Sequence, residues 1–107
     1  MSRDVQKEID DLVKANPVVL FMKGNASFPM CGFSARTAQV LQSCNVPFET
    51  VNVLADPEVR EGVKVYGKWP TVPQLYVSGK LVGGCDITLE LFESGELQTL
   101  LKQAADA

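Results

Sequence analysis

The sequence predicts an α/β fold, a four-stranded mixed sheet flanked by about five helices, in one domain spanning residues 1–107. Three observations predict it. Helix-like and strand-like patterns alternate through much of the chain, so the first two strands are joined by a helix and run parallel. Val18-Val19-Leu20-Phe21-Met22 is a continuous apolar run with β-branched members, as in a strand covered on both faces. Two short apolar runs, at residues 75–77 and 81–82, flank Ser78-Gly79-Lys80 in the pattern of an antiparallel hairpin.

Each element has its own signal. Residues 3–15 read as a helix, because Val5, Ile9, Leu12 and Val13 fall on one stripe with charges between them. Asn16-Pro17 ends it, since the residue before a proline avoids the helical region. After the apolar strand, residues 23–30 form a loop rich in Gly24, Asn25, Ser27 and Pro29. The next helix follows Cys31 and runs to about Ser43, with Phe33, Ala38, Val40 and Leu41 as its buried side. Residues 48–53 alternate apolar and polar side chains as a second strand. Asp56-Pro57-Glu58 starts a helix with a cap, a proline at the first helical position and an acid. Val59, Val63 and Tyr66 lie along one face of it, and it stops near Gly67. An irregular connection containing Pro70 and Pro73 leads to the hairpin. A further helix begins near Ile87 with Asp86 as its cap, and Ser94-Gly95 interrupts it. Leu97, Leu100, Leu101 and Ala104 mark the last helix.

Composition narrows the function. With 46% hydrophobic and 21% charged residues, the chain is an ordinary globular one. A net charge of −3 argues against a general binder of nucleic acid or anionic membrane. There is no histidine, which removes Ser/His/Asp and Cys/His catalysis and the commonest zinc ligand. Cys31, Cys44 and Cys85 are an odd number, unlike a secreted disulfide framework, and a reducing compartment suits them. No apolar run approaches the ~20 residues needed to span a membrane, and the N-terminus lacks the apolar core of a signal peptide. Together these point to the cytoplasm, with a mature form in a plastid or mitochondrion as the alternative.

The chemistry centres on Cys31-Gly32-Phe33-Ser34. A cysteine at or just before a helix N-terminus meets unpaired N–H groups and the helix dipole, which stabilise a thiolate. That form attacks disulfides and binds soft metals. Ser34 stands where a second cysteine would allow an internal disulfide, so Cys31 must find its second sulfur elsewhere. Lys23 ends the first strand on the side from which the Cys31 loop departs. It is either a solvated lysine or a charge that lowers the Cys31 pKa and pairs with a ligand carboxylate. Thr71-Val72-Pro73 is either an ordinary loop or the site of a cis peptide. Gly83-Gly84-Cys85-Asp86 forms a turn whose N–H groups suit an anion. There Asp86 caps the helix, binds a ligand ammonium group, or does both, and Cys85 is a second thiol or a tight-fitting small residue. Arg60 and Lys64 share one helix face, normally a solvated one. Cys44 reads as a packing residue.

Lys23-Gly24, Cys31-Gly32-Phe33-Ser34, Trp69-Pro70-Thr71-Val72-Pro73-Gln74 and Gly83-Gly84-Cys85-Asp86 also occur in the order and spacing of one family. The chain resembles the monothiol, CGFS-type glutaredoxins, closest to their single-domain cyanobacterial and plastid type, from about residue 17 to residue 101. The resemblance implies a thioredoxin-like fold. It also implies glutathione contacts at Lys23, Arg60, Val72, Cys85 and Asp86, with Lys64 toward the tripeptide's terminal carboxylate. Cys31 would be the ligand of a [2Fe–2S] cluster, and Pro73 a cis proline that leaves the Val72 backbone free for the glutathione peptide. A cluster of this type needs four thiolates. Two chains and two glutathiones would supply them, so the cluster-bound form would be a homodimer that passes its cargo to apo iron–sulfur acceptor proteins. The family also pairs with BolA-type proteins. The alternative is a glutathione-dependent thiol–disulfide oxidoreductase with Cys31 as nucleophile. A third reading is a redox sensor with a Cys31–Cys85 disulfide.

Overall fold

The computed structural model describes residues 3–106. The sheet has four strands in the order β2-β1-β3-β4. Strand β1 (Val18–Met22) pairs in parallel with β2 (Glu49–Asn52), antiparallel with β3 (Gln74–Val77), and β3 pairs antiparallel with β4 (Lys80–Gly83). The parallel pair and the hairpin are those that the sequence predicts. A helix must return the chain between parallel strands, and α2 (Gly32–Ser43) does so.

Alternation along β1 explains the layers. Val18, Leu20 and Met22 pack with Ala38 and Leu41 of α2 and with Leu97, Leu101 and Ala104 of α5 (Glu96–Asp106). Val19 and Phe21 point the other way. They meet Ile9 and Val13 of α1 (Val5–Ala15) and Val59 and Val63 of α3 (Pro57–Gly67). Every residue of β1 is therefore buried, as the unbroken apolar run predicts. Phe21 meets Tyr76 edge-on, with ring centroids 5.6 Å apart, which adds about 0.5–1.5 kcal/mol beyond the buried area.

The helix starts follow their caps. Asp4 accepts the Lys7 N–H at 3.1 Å, so α1 begins at Val5 and residue 3 lies outside it. Asp56 accepts the Val59 N–H at 3.3 Å ahead of Pro57, as its sequence signal predicts. A single 3₁₀ turn (Val53–Ala55) follows β2, which stops at Asn52. The fourth helix departs from expectation. α4 runs Cys85–Ser94 with Gly84 at the capping position, so Asp86 lies in its first turn and caps nothing. The Gly83-Gly84 pair lets the backbone enter the helix earlier than a side-chain cap would place it. No helix among the described residues is long and apolar enough to cross a membrane.

Candidate functional site

Strand β1 ends at Met22, and the chain must then reach the start of α2. Lys23 therefore stands beside the C-terminal edge of the parallel pair. Its N–H donates to Ser34 Oγ at 3.0 Å, and the next N–H, of Gly24, donates to Asn52 Oδ1 at 2.9 Å. Asn52 also accepts the Leu54 N–H at 3.0 Å, which fixes the end of β2. These bonds hold the end of β1, the end of β2 and the first turn of α2 together. Sequence reasoning missed both anchors. It valued Ser34 only as an absent thiol, and Asn52 as the polar member of an alternating strand.

Cys31 is the N-cap residue of α2, with extended backbone and its carbonyl accepting the Ala35 N–H at 2.9 Å. The neutral thiol makes no capping hydrogen bond, so the N–H groups of the first turn remain available to a thiolate. The Ser34 N–H does most to lower the Cys31 pKa below its ordinary value, against partial desolvation. The Phe33 N–H and the Lys23 charge assist. Cys44, by contrast, packs against the core, and burial pushes its pKa up. All three cysteines are free.

A cleft of about 290 Å³ opens beside Cys31, lined by Lys23, Phe33, Arg60, Lys64, Pro70, Thr71 and Val72. It gathers three cations, from the end of β1 and from one face of α3, around one thiol. Larger depressions of about 520 and 450 Å³ lie beside α1 and beside β4, but no thiol lines them. Chemistry rather than volume singles out the smaller one.

The wall opposite α2 is built around Gln74. This fully buried side chain donates to the carbonyls of Trp69 and Thr71 at 3.1 and 3.2 Å, and accepts from the Tyr76 hydroxyl at 2.9 Å. The bonds fix the loop that carries Val72, whose peptide to Pro73 is cis. The N–H and carbonyl of Val72 have no partner among the described residues. They are a free backbone edge on a residue that lines the cleft.

Cys85 and Asp86 lie outside the cleft lining, on the first turn of α4. Cys85 is buried and Asp86 exposed. Gly84 joins this turn to the wall: a Cβ there would sit 3.3 Å from Trp69 Nε1 and 3.4 Å from the Pro73 carbonyl. The amides that open α4 have no side-chain cap, which leaves a second helix N-terminus near the free edge of Val72. Phe33 departs from expectation. It is 59% exposed, whereas Ser34 and Thr37 take the inward positions with Ala38 and Leu41. Small polar side chains fit there because Ser34 bonds Lys23 and Thr37 donates to the Phe33 carbonyl at 2.8 Å.

The glutaredoxin family model matches residues 18–82. The chain is 51% identical over 104 residues to a monothiol glutaredoxin of Synechocystis sp., described as uncharacterized and ycf64-like, with 97% of each covered. It is 50% identical over 104 residues to the chloroplastic monothiol glutaredoxin-S14 of Arabidopsis thaliana, covering 97% of this chain and 60% of that protein. Among solved structures, reduced poplar apo GrxS14 matches with a TM-score of 0.84 at 48% identity, covering 96% of this chain and 94% of that one.

Proposed function

The chain belongs to the glutaredoxin family, in its monothiol branch and with its thioredoxin-like fold, and from that premise we propose that it is a carrier of glutathione-ligated [2Fe–2S] clusters. One observation carries this reading. A single thiol, primed as a thiolate by the first turn of α2, stands at a cleft that presents three cations and a free backbone edge.

Glutathione fits that cleft by chemistry. It is a tripeptide with two carboxylates, an ammonium group and a thiol. Lys23, Arg60 and Lys64 complement the carboxylates. The Val72 peptide groups pair with the tripeptide backbone, as an added strand does. The open amides of Cys85 and Asp86 receive the second carboxylate, and the exposed Asp86 side chain receives the ammonium. The glutathione thiol then lies beside Cys31.

The cluster is cargo. Cys31 is a soft donor whose pKa is held below its ordinary value, which favours the thiolate that an iron bond requires. Among the described residues no three of His, Cys, Asp and Glu converge on a metal-sized space. Two chains, each with one Cys31 and one glutathione, supply the four thiolates. The loaded form is thus a homodimer, and its partners are apo iron–sulfur acceptor proteins and BolA-type proteins. Anaerobic reconstitution with iron, sulfide and glutathione should give a coloured dimer from a mainly monomeric apo protein. Cys31→Ser should abolish the colour, whereas Cys44→Ser and Cys85→Ser should keep most of it. Colourless monomer after reconstitution of the unaltered chain would overturn the reading.

The primed thiolate also favours a second reading, glutathione-dependent reduction. Cys31 would attack a glutathione mixed disulfide, form a bond to the glutathionyl sulfur and release the other thiolate. A glutathione thiolate would then attack that bond, giving oxidised glutathione and free Cys31. Fast turnover by a protein that stays colourless under reconstitution would select this second reading.

A further inference from the structure

Three large apolar side chains within three residues of Cys31 in the chain face water, and one of them, Phe33, lines its cleft. Phe28, Met30 and Phe33 are 76%, 69% and 59% exposed. They are three of the six exposed large hydrophobics among the described residues; the others, Leu54, Val65 and Leu100, are scattered.

The loop that displays them is firmly built. Asn25 Oδ1 accepts the N–H groups of Ser27 and Phe28 at 3.0 and 2.8 Å, and the Asn25 N–H donates to the Phe28 carbonyl at 3.2 Å. The Met30 N–H returns to the Lys23 carbonyl at 2.9 Å. Gly24 sits at φ +85°, with no room for a Cβ against the Phe28 carbonyl and the Met30 amide. The fold thus holds this backbone in one shape while leaving Phe28 and Met30 uncovered.

Charge identifies what covers them. Between residues 12 and 48 the chain has Lys14, Lys23 and Arg36 and no Asp or Glu, although it carries 13 acids in all. Arg36 follows the exposed Phe33 by one turn of α2. Arg60 and Lys64 line the cleft, Lys64 paired with Glu61 at 3.1 Å, and Lys68 is the C-cap residue of α3, two residues before Pro70. Lys23, Arg36, Arg60 and Lys68 form no ion pair among the described residues. In a chain of net charge −3, the face around the thiol is cationic with an apolar centre.

We infer that the collar of Phe28, Met30 and Phe33 with Arg36 docks the acceptor protein, and that the acceptor presents an acidic rim around an apolar patch beside its own metal-ligating cysteines. This rests on the carrier reading and names the partner's chemistry. A second copy of the chain fits the collar less well, since it would set Lys23 and Arg36 against their own like charges. In the loaded dimer the anionic glutathiones lie between the two faces. An acidic acceptor can then take the place of one protomer on the collar, two of its cysteine thiolates replacing the Cys31 and glutathione thiolates that leave with that protomer, while the cargo stays bound to the other. Opposite charge speeds encounter, and the apolar centre lengthens residence.

The test uses a metal-free ferredoxin of acidic surface, its cluster cysteines replaced by serine so that no cargo moves. Its affinity for the glutathione-bound chain is measured by calorimetry at low and high salt. Joint replacement Phe28→Gln and Met30→Gln should weaken the complex about tenfold or more. Arg36→Glu should weaken it about fivefold and flatten its salt dependence. Val65→Gln, on an exposed position of α3 outside the collar, should leave it unchanged. Glutathione affinity should be the same in every variant, which shows that the cleft is intact. No binding by the unaltered chain, equal affinity in all variants, or equally tight binding of a basic acceptor would overturn the inference. So would collar variants that lose the coloured dimer but keep ferredoxin affinity, since the second copy would then be the occupant. Failure of the carrier reading looks different, because the unaltered chain would then form no coloured dimer.

Discussion

Cys31 and Cys44 bracket α2, and the helix sets them apart chemically. Cys31 faces the open amides of the first turn, which favour its thiolate, while Cys44 is partly buried at the other end, which favours its thiol. The linkage follows in sign. A thiol whose folded pKa is depressed contributes stability above the ordinary thiol value, 9.0, and loses it as pH falls through the lowered folded value. The alkylation rate of Cys31, read by mass spectrometry across a pH series, should therefore have its midpoint below 9.0, and that of Cys44 above it. Lys23→Gln should move the Cys31 midpoint up only slightly, because the Ser34 amide outweighs the lysine charge and no side-chain change removes it. A Cys31 midpoint at or above 9.0 would remove the thiolate from both functional readings. The position of Cys31 was legible in the sequence because a polar loop ahead of a helical pattern marks a helix N-terminus. Ser34 was not, since its task, accepting the Lys23 N–H, depends on a contact between elements that only folding brings together. Phe33 was misjudged for a related reason. Helical periodicity names a buried stripe, but Ser34, which accepts the Lys23 N–H just beyond β1, and Thr37, which bonds back within α2, displaced the aromatic from it.

At the scale of elements, the cleft depends on how closely α3 lies against β3. Gly67, at the end of α3, has no room for a side chain: a Cβ there would collide with the Tyr76 hydroxyl and lie 2.8 Å from Gln74 Oε1. Those two atoms belong to the network that fixes Trp69 and Thr71. Gly67→Ala should thus cost about 1–3 kcal/mol of stability through overpacking. It should also weaken glutathione binding, because the Val72 wall shifts with Gln74. Gly32 gives the contrast. No atom lies within 4 Å of a Cβ placed there, so Gly32→Ala should leave urea unfolding unchanged or slightly more stable. Equal effects from the two substitutions would count against the wall argument. The succession of strands and helices along the chain was readable because each rests on local periodicity, whereas the start of α4 was not. Asp86 has the composition of a cap, but the glycine pair before it allowed the helix to begin at Cys85. The resulting open amides bear on the glutathione reading more than a capped helix would.

The whole molecule separates its charges: acids dominate outside residues 12–48, while at the thiol cleft Lys23 and Arg60 have no acid partner among the described residues and only Lys64 is paired, with Glu61. Two such faces repel unless an anion lies between them. In the proposed loaded form, the two glutathiones serve twice, as two of the four thiolate ligands and as the negative charge between Lys23, Arg60 and their counterparts. Assembly should accordingly depend on glutathione more steeply than ligand counting alone requires. Removal of glutathione from the loaded protein, with no other thiol present, should bleach the cluster and return monomers together, followed by absorption and light scattering in one sample. A simple thiol without carboxylates, such as 2-mercaptoethanol, replaces the sulfur ligand but not the charge. The dimer it supports should be weaker than the glutathione dimer, and the deficit should shrink at high salt, which screens the cation–cation repulsion. Equal dimer stability with the two thiols at low salt would show that glutathione acts through its sulfur alone, and that the cationic cleft does not read its carboxylates.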